Sequence, residues 1–155
     1  MRYFTKELWL GINDCDNNIR TKAEKEWEAN DLTYQQQFIE AKKLLSQSFV
    51  KKFLARNGLH DYFINAIFFQ KRRRGYSCVL HLSKGNEKLL LSMNGVKALH
   101  INIESFKCCI QGKLAWGYSE FELLSDKNIK LAILCDVENE MQFEFESINL
   151  FRKWL

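Results

Sequence analysis

The sequence has no proline and only three histidines in 155 residues. Without proline there is no stiff polyproline linker to divide the chain, so one domain over residues 1–155 is expected. His60, His81 and His100 are too few and too scattered to close a metal shell by spacing, so neither metal nor another cofactor is expected. The seven glycines never reach the spacing of a Rossmann or P-loop phosphate cradle, and no G-x-S-x-G elbow occurs. No apolar run approaches the ~18 residues of a membrane span. Arg2, Lys6 and Glu7 interrupt the first stretch, which therefore lacks the apolar centre of a secretion signal. Cys15, Cys78, Cys108, Cys109 and Cys135 are odd in number and irregular in spacing, as free thiols in a reducing, cytoplasmic setting would be. The charge excess is small, 23 Lys and Arg against 19 Asp and Glu, which argues against a dedicated nucleic-acid binder.

Aromatic surface is what the sequence does have. Twelve Phe, five Tyr and four Trp, each able to remove about 150–250 Å² from water, suffice for a core without disulfides.

Residues 1–58 read as helical. Thr5 can cap a short turn carrying Leu8, Trp9 and Ile12; "NDCDNN" is turn chemistry; a second helix runs through "IRTKAEKEWEAN". From Asp31, Phe38, Ala41, Leu45, Phe49 and Phe53 recur at spacings of three and four, the stripe of a third helix. Asn57 or Gly58 can then take the left-handed conformation that stops it. From residue 59 the period becomes two. Six strands are expected, near 62–70, 76–82, 88–103 (broken around Asn94-Gly95), 113–124, 128–136 and 140–149. Short polar links favour antiparallel neighbours, so the fold class is α+β, about three helices packed on an antiparallel sheet of about six strands.

Three stretches invite a functional reading. In "NGLHD", Asn57, Gly58, His60 and Asp61 stand at the joint of the two halves, where the side chains of His60 and Asp61 can hydrogen-bond open backbone groups. A hydrolase using His60 and Asp61 is the chemical alternative, although no helix supplies further ligands. Lys71, Arg72, Arg73 and Arg74 could neutralise phosphates, but nucleic-acid readers add exposed aromatics for stacking and only Tyr76 is evident. In "KLAWGYSEFELL", an unbroken strand would put Leu114, Trp116, Tyr118, Glu120 and Glu122 on one face, mixing large aromatics with two acids. A bulge near Gly117 that flips the register is the expected resolution. Otherwise Trp116, Tyr118, Glu120 and Glu122 form an exposed protein-binding strip. Two Glu at this spacing are ordinarily a solvated row rather than a glycosidase pair, and Cys108-Cys109 reads as inert packed thiols.

"MRYFTKELW", the helix ending before "LHDYFINAIFF", and "GKLAWGYSEFELL" together resemble the bacterial domain-of-unknown-function family 4085. The resemblance spans nearly the whole chain and implies helices followed by a β-rich half, without an activity to carry over. The acids after Trp116 and Tyr118 are separated by Phe121 here, and the loop after the first strand is unusually basic. A looser resemblance of layout is to bacterial toxin-immunity proteins. The expectation is a non-enzymatic cytosolic protein that binds another protein, immunity being one version, with no catalytic residue and no membrane partner. A homodimer is possible. The alternative, a nucleic-acid contact through Lys71–Arg74, is the less favoured.

Overall fold

The computed structural model describes residues 1–73, 75–101, 114–136 and 139–152. Three α-helices come first: α1 (Lys6–Ile12), α2 (Asn17–Lys42) and α3 (Gln47–Leu54). Among the described residues eight strands follow: β1 (Phe63–Arg72), β2 (Gly75–Lys84), β3 (Glu87–Val96), β4 (Ala98–Ile101), β5 (Tyr118–Ser125), β6 (Asn128–Asp136), β7 (Asn139–Phe145) and β8 (Ser147–Arg152). All pairings are antiparallel. The α+β class holds.

The helices are cut at different places from those expected. Thr5 caps α1 by accepting from the Leu8 amide at 3.3 Å. The second and third expected helices, however, merge through Asn30-Asp31 into α2. Both polar side chains find partners that spare the helical ladder: Asn30 Nδ2 donates to the Tyr3 carbonyl at 3.0 Å, and Asp31 accepts from Gln35 Nε2 at 2.7 Å. The stripe is broken later, at Ser46, whose hydroxyl accepts from the Phe49 amide and starts α3. Phe38 and Ala41 therefore lie on α2, Phe49 and Phe53 on α3.

The strands make two four-stranded sheets in place of one sheet of six. The first has the order β1-β2-β3-β8 and the second β4-β7-β6-β5. Two of the six expected strands are bent, and each half joins a different sheet. β3 passes into β4 through Gly95, at φ +65°, where the β2–β3 register shifts. β7 passes into β8 at Glu146. Across this corner the Lys97 amide donates to the Glu144 carbonyl at 2.8 Å and the Glu146 amide to the Asn94 carbonyl at 3.0 Å. Strands that switch sheets at a bulge are how orthogonally packed sheets turn their corners. The ring is closed on its other side by residues 114–116, which run into β5 and pair with the start of β1 through Phe63 and Ala115.

One continuous apolar core fills this ring. Cys78, Leu80, Leu91 and Met93 of the first sheet face Leu131, Ile133, Met141 and Phe143 of the second. Phe121 of β5 is the link to the helices, with ring centroids 5.7 Å from Phe38, 5.8 Å from Phe49 and 5.4 Å from Phe53. Both α-helical neighbours also close strand edges. Tyr34 Oη and Gln37 Nε2 of α2 serve the Phe121 amide and carbonyl on β5, at 2.9 and 3.1 Å. Lys52 of α3 donates to the Leu150 carbonyl on β8 at 3.0 Å. Capping edge groups in this way removes the template for unwanted strand pairing.

Candidate functional site

The joint at 57–61 is more contorted than a simple helix cap. Asn57, Gly58, Leu59 and Asp61 all have positive φ, at 50°, 64°, 67° and 65°. Leu59 is the costly one, since a left-handed leucine is disfavoured by roughly 1–2 kcal/mol; its complete burial offsets this. Among the described residues, the side chains of His60 and Asp61 meet no open backbone group. They pair with each other, Nδ1 to Oδ1 at 2.9 Å, and Lys84 donates to Asp61 Oδ2 and to the His60 carbonyl. The bond from His60, then Lys84, holds the Asp61 carboxyl below its ordinary range. His81 lies in β2 and His100 in β4, and among the described residues no three His, Cys, Asp or Glu form a metal-holding group.

Beside the joint, a denser network ties α3 to the first sheet. Glu87 accepts from Arg56 Nη2 at 2.8 Å and from the Tyr62 hydroxyl. Arg56 chiefly, with Tyr62, lowers the Glu87 pKa, while burial and the Glu87 contact push the Tyr62 phenol up to about 12.

The aromatic-acidic strip is dismantled by a register flip at Gly117. Leu114 and Trp116 point into the core, and Trp116 is only 1% exposed. The inward residue after the flip is Phe121, five positions on, an odd step that an unbroken strand cannot make. Gly117 is required there because a Cβ would stand 2.7 Å from the Leu134 carbonyl oxygen, to which its own amide donates at 2.9 Å. Trp116 Nε1 meets no acceptor among the described residues. Tyr118 is half-buried, with His60 and Trp27 rings at 5.0 and 4.4 Å. Glu120 is 5% exposed and accepts from the amides of Arg2, Tyr3 and Phe4 at 2.8, 2.7 and 2.8 Å, clamping the N-terminal stretch on the outer side of β5. Glu122 faces Lys130 at 3.6 Å. Trp116 and Glu120 thus have almost no surface to offer a partner, and the four residues are not one strip.

The basic stretch, by contrast, is a surface. Lys71, Arg72 and Arg73 are exposed at the β1–β2 tip; Arg74 lies outside the described residues, as do Cys108 and Cys109. Tyr76 stands directly opposite Lys71, and Phe69 is two residues before it on the same face. Phe68 projects from the other face, its ring 4.7 Å from His81. Phe68 and Tyr76 are 53% and 54% exposed, and Phe63, Phe69 and Phe151 of the same sheet are also exposed. Among the described residues, Leu124 is the only large apolar residue of the second sheet that is exposed. Sequence reasoning missed Phe68 and Phe69 because an apolar run in a strand near 62–70 carries no periodic mark of which end leaves the core. The signal was the chain's own charge: a strand entering four cations must leave the core before it reaches them.

No family model, no curated protein and no solved structure matches this chain.

Proposed function

We propose that this protein is a binding module, not a catalyst, and that its working surface is the first sheet around the β1–β2 hairpin. The observation that carries the reading is the concentration of exposed aromatics beside cations on that sheet: Phe68, Phe69, Tyr76 and Phe151 with Lys71, Arg72 and Arg73. Aromatic and Arg side chains are the anchors of protein interfaces. A protein partner with an acidic docking face fits them, and inhibition of a toxin is one concrete form of such binding. The outer side of the second sheet is a poorer candidate, since the N-terminal stretch occupies it. A photo-crosslinking residue at position 68 should capture a partner from cells of the native host, whereas one at position 124 should not. Lys71→Glu with Arg72→Glu should abolish capture. Equal capture at both positions, or none at 68, sinks the proposal.

A second reading has one observation of its own. Phe69, Lys71 and Tyr76 share a face, two rings flanking a cation, which suits single-stranded nucleic acid. It predicts that a fluorescein-labelled oligo(U) binds with an affinity that falls steeply with salt and drops in Tyr76→Ala. Binding that ignores salt rejects it.

A further inference from the structure

A cavity of about 300 Å³ lies between α2, the 57–60 joint and the start of β5, and shares no residue with the hairpin. That volume is at the lower end for small-molecule sites. Its wall is aromatic. Phe4, Trp27, Tyr34 and Tyr118 all line it, with Phe4–Trp27 and Trp27–Tyr118 centroids 4.7 and 4.4 Å apart and Phe4–Tyr34 edge to face at 5.4 Å. These rings are already packed against one another, so a ligand would meet a preorganised surface and little side-chain freedom would be lost. The one carboxylate in the lining is Asp31, and no Lys or Arg is present there among the described residues. Asp31 Oδ2 accepts from Gln35, while Oδ1 meets no donor among the described residues. Electron-rich ring faces together with a single under-used carboxylate select positive charge of low hydration. An anion would have only the neutral polar groups Asn57, Gln35 and Ser119, with His60, whose ring is turned to Asp61.

We propose that this cavity binds an organic cation of the alkylammonium class, with the aromatic wall of Trp27 and Tyr118 against its methyl groups and Asp31 as the counter-charge. A free quaternary ammonium compound and a methylated lysine side chain present the same chemistry.

The test is calorimetric titration of the full chain with choline and with 3,3-dimethylbutan-1-ol, its uncharged isostere. An Ala-trimethyllysine-Ala tripeptide is the third titrant. Choline is expected to bind at least about tenfold more tightly than the alcohol, the order of magnitude of a desolvated cation–π contact with a counter-ion. Asp31→Asn should remove most of that preference while leaving the alcohol's affinity unchanged, and Tyr118→Leu should weaken both. Asp31→Asn alters a helix surface position, so circular dichroism should show an intact fold even where Tyr118→Leu fails. A tripeptide tighter than choline identifies a protein-borne cation; a weaker one identifies a free small molecule; either supports the class. Equal affinity for choline and the alcohol overturns the proposal. So does the absence of heat from both up to about 50 mM, or choline binding that Asp31→Asn leaves untouched.

Discussion

The two sheets have four strands each and share one core, yet they are opposites in charge and in cover. Among the described residues, strands of the first carry Lys71, Arg72, Lys84, Lys88 and Arg152 against Glu87 alone; strands of the second carry Glu120, Glu122, Glu140 and Glu144 against Lys130 alone. The formal net charge of +4 averages these away. On the outer side of the second sheet Ala132 and Leu134 are buried and Glu120 holds the N-terminal stretch, whereas Phe68 and Phe151 of the first sheet remain exposed. Coverage and charge go together here: the acidic sheet binds a stretch of its own chain, and the basic one keeps its rings exposed. Net charge is an argument about partners only when it is known which face carries it.

Substitutions can break that contrast. Phe121→Ala, at the hub of both helices and the second sheet, should lower unfolding free energy by about 3–5 kcal/mol, read as a fall in the urea midpoint. Glu120→Ala should follow at roughly 3 kcal/mol, because three amides lose a charged acceptor in a buried place. Glu122→Ala, beside a partly exposed Lys130, should change stability by less than about 1 kcal/mol. If the two glutamates proved alike, the clamp on the N-terminal stretch would be fictitious.

Alkaline titration probes the first sheet's inner side. Burial pushes the Cys78 thiol from 9.0 up to about 12, and the Tyr62 phenol rises from 10.0 to about 12. Both are raised, so the folded chain keeps protons that the unfolded chain gives up. Their contribution is complete below about pH 9 and is lost as pH climbs towards 12. Urea midpoints measured at pH 8 and pH 10.5 should therefore fall, and Cys78→Ala should flatten the drop. Alkylation followed by peptide mapping should mark exposed Cys15 at once and leave Cys78 and Cys135 until unfolding. The smallest effect is expected at Phe68→Ser, within about 0.5 kcal/mol of the parent. A large loss there would mean that the hairpin's rings are structural, and the docking surface would go with them.

Much of this architecture could be read from residue order. The change of period after Gly58, the α+β class and the Thr5 cap all follow from local chemistry. So does the bulge at Gly117, because a face mixing Trp116 with Glu120 contradicts its own burial. What could not be read depended on partners distant in sequence. Asn30 looks like a helix breaker until the Tyr3 carbonyl answers it. Glu120 looks solvated until the amides of residues 2–4 arrive, more than a hundred positions away. The break around Asn94-Gly95 is legible in its turn residues, whereas the bend at Glu146 reads as straight because it is a property of the corner the two strands share, and periodicity has no term for it.

That shared corner also sets an order of events during synthesis. β8 borders a sheet whose other three strands end by Val96, and it arrives only when residue 152 has been made. Until then the emerging chain carries β3 with a raw edge, so the first sheet is completed only late, in one long-range step. A nascent chain halted near residue 140 should be readily cut by protease within the strands already made, and the same strands should resist once β8 has docked.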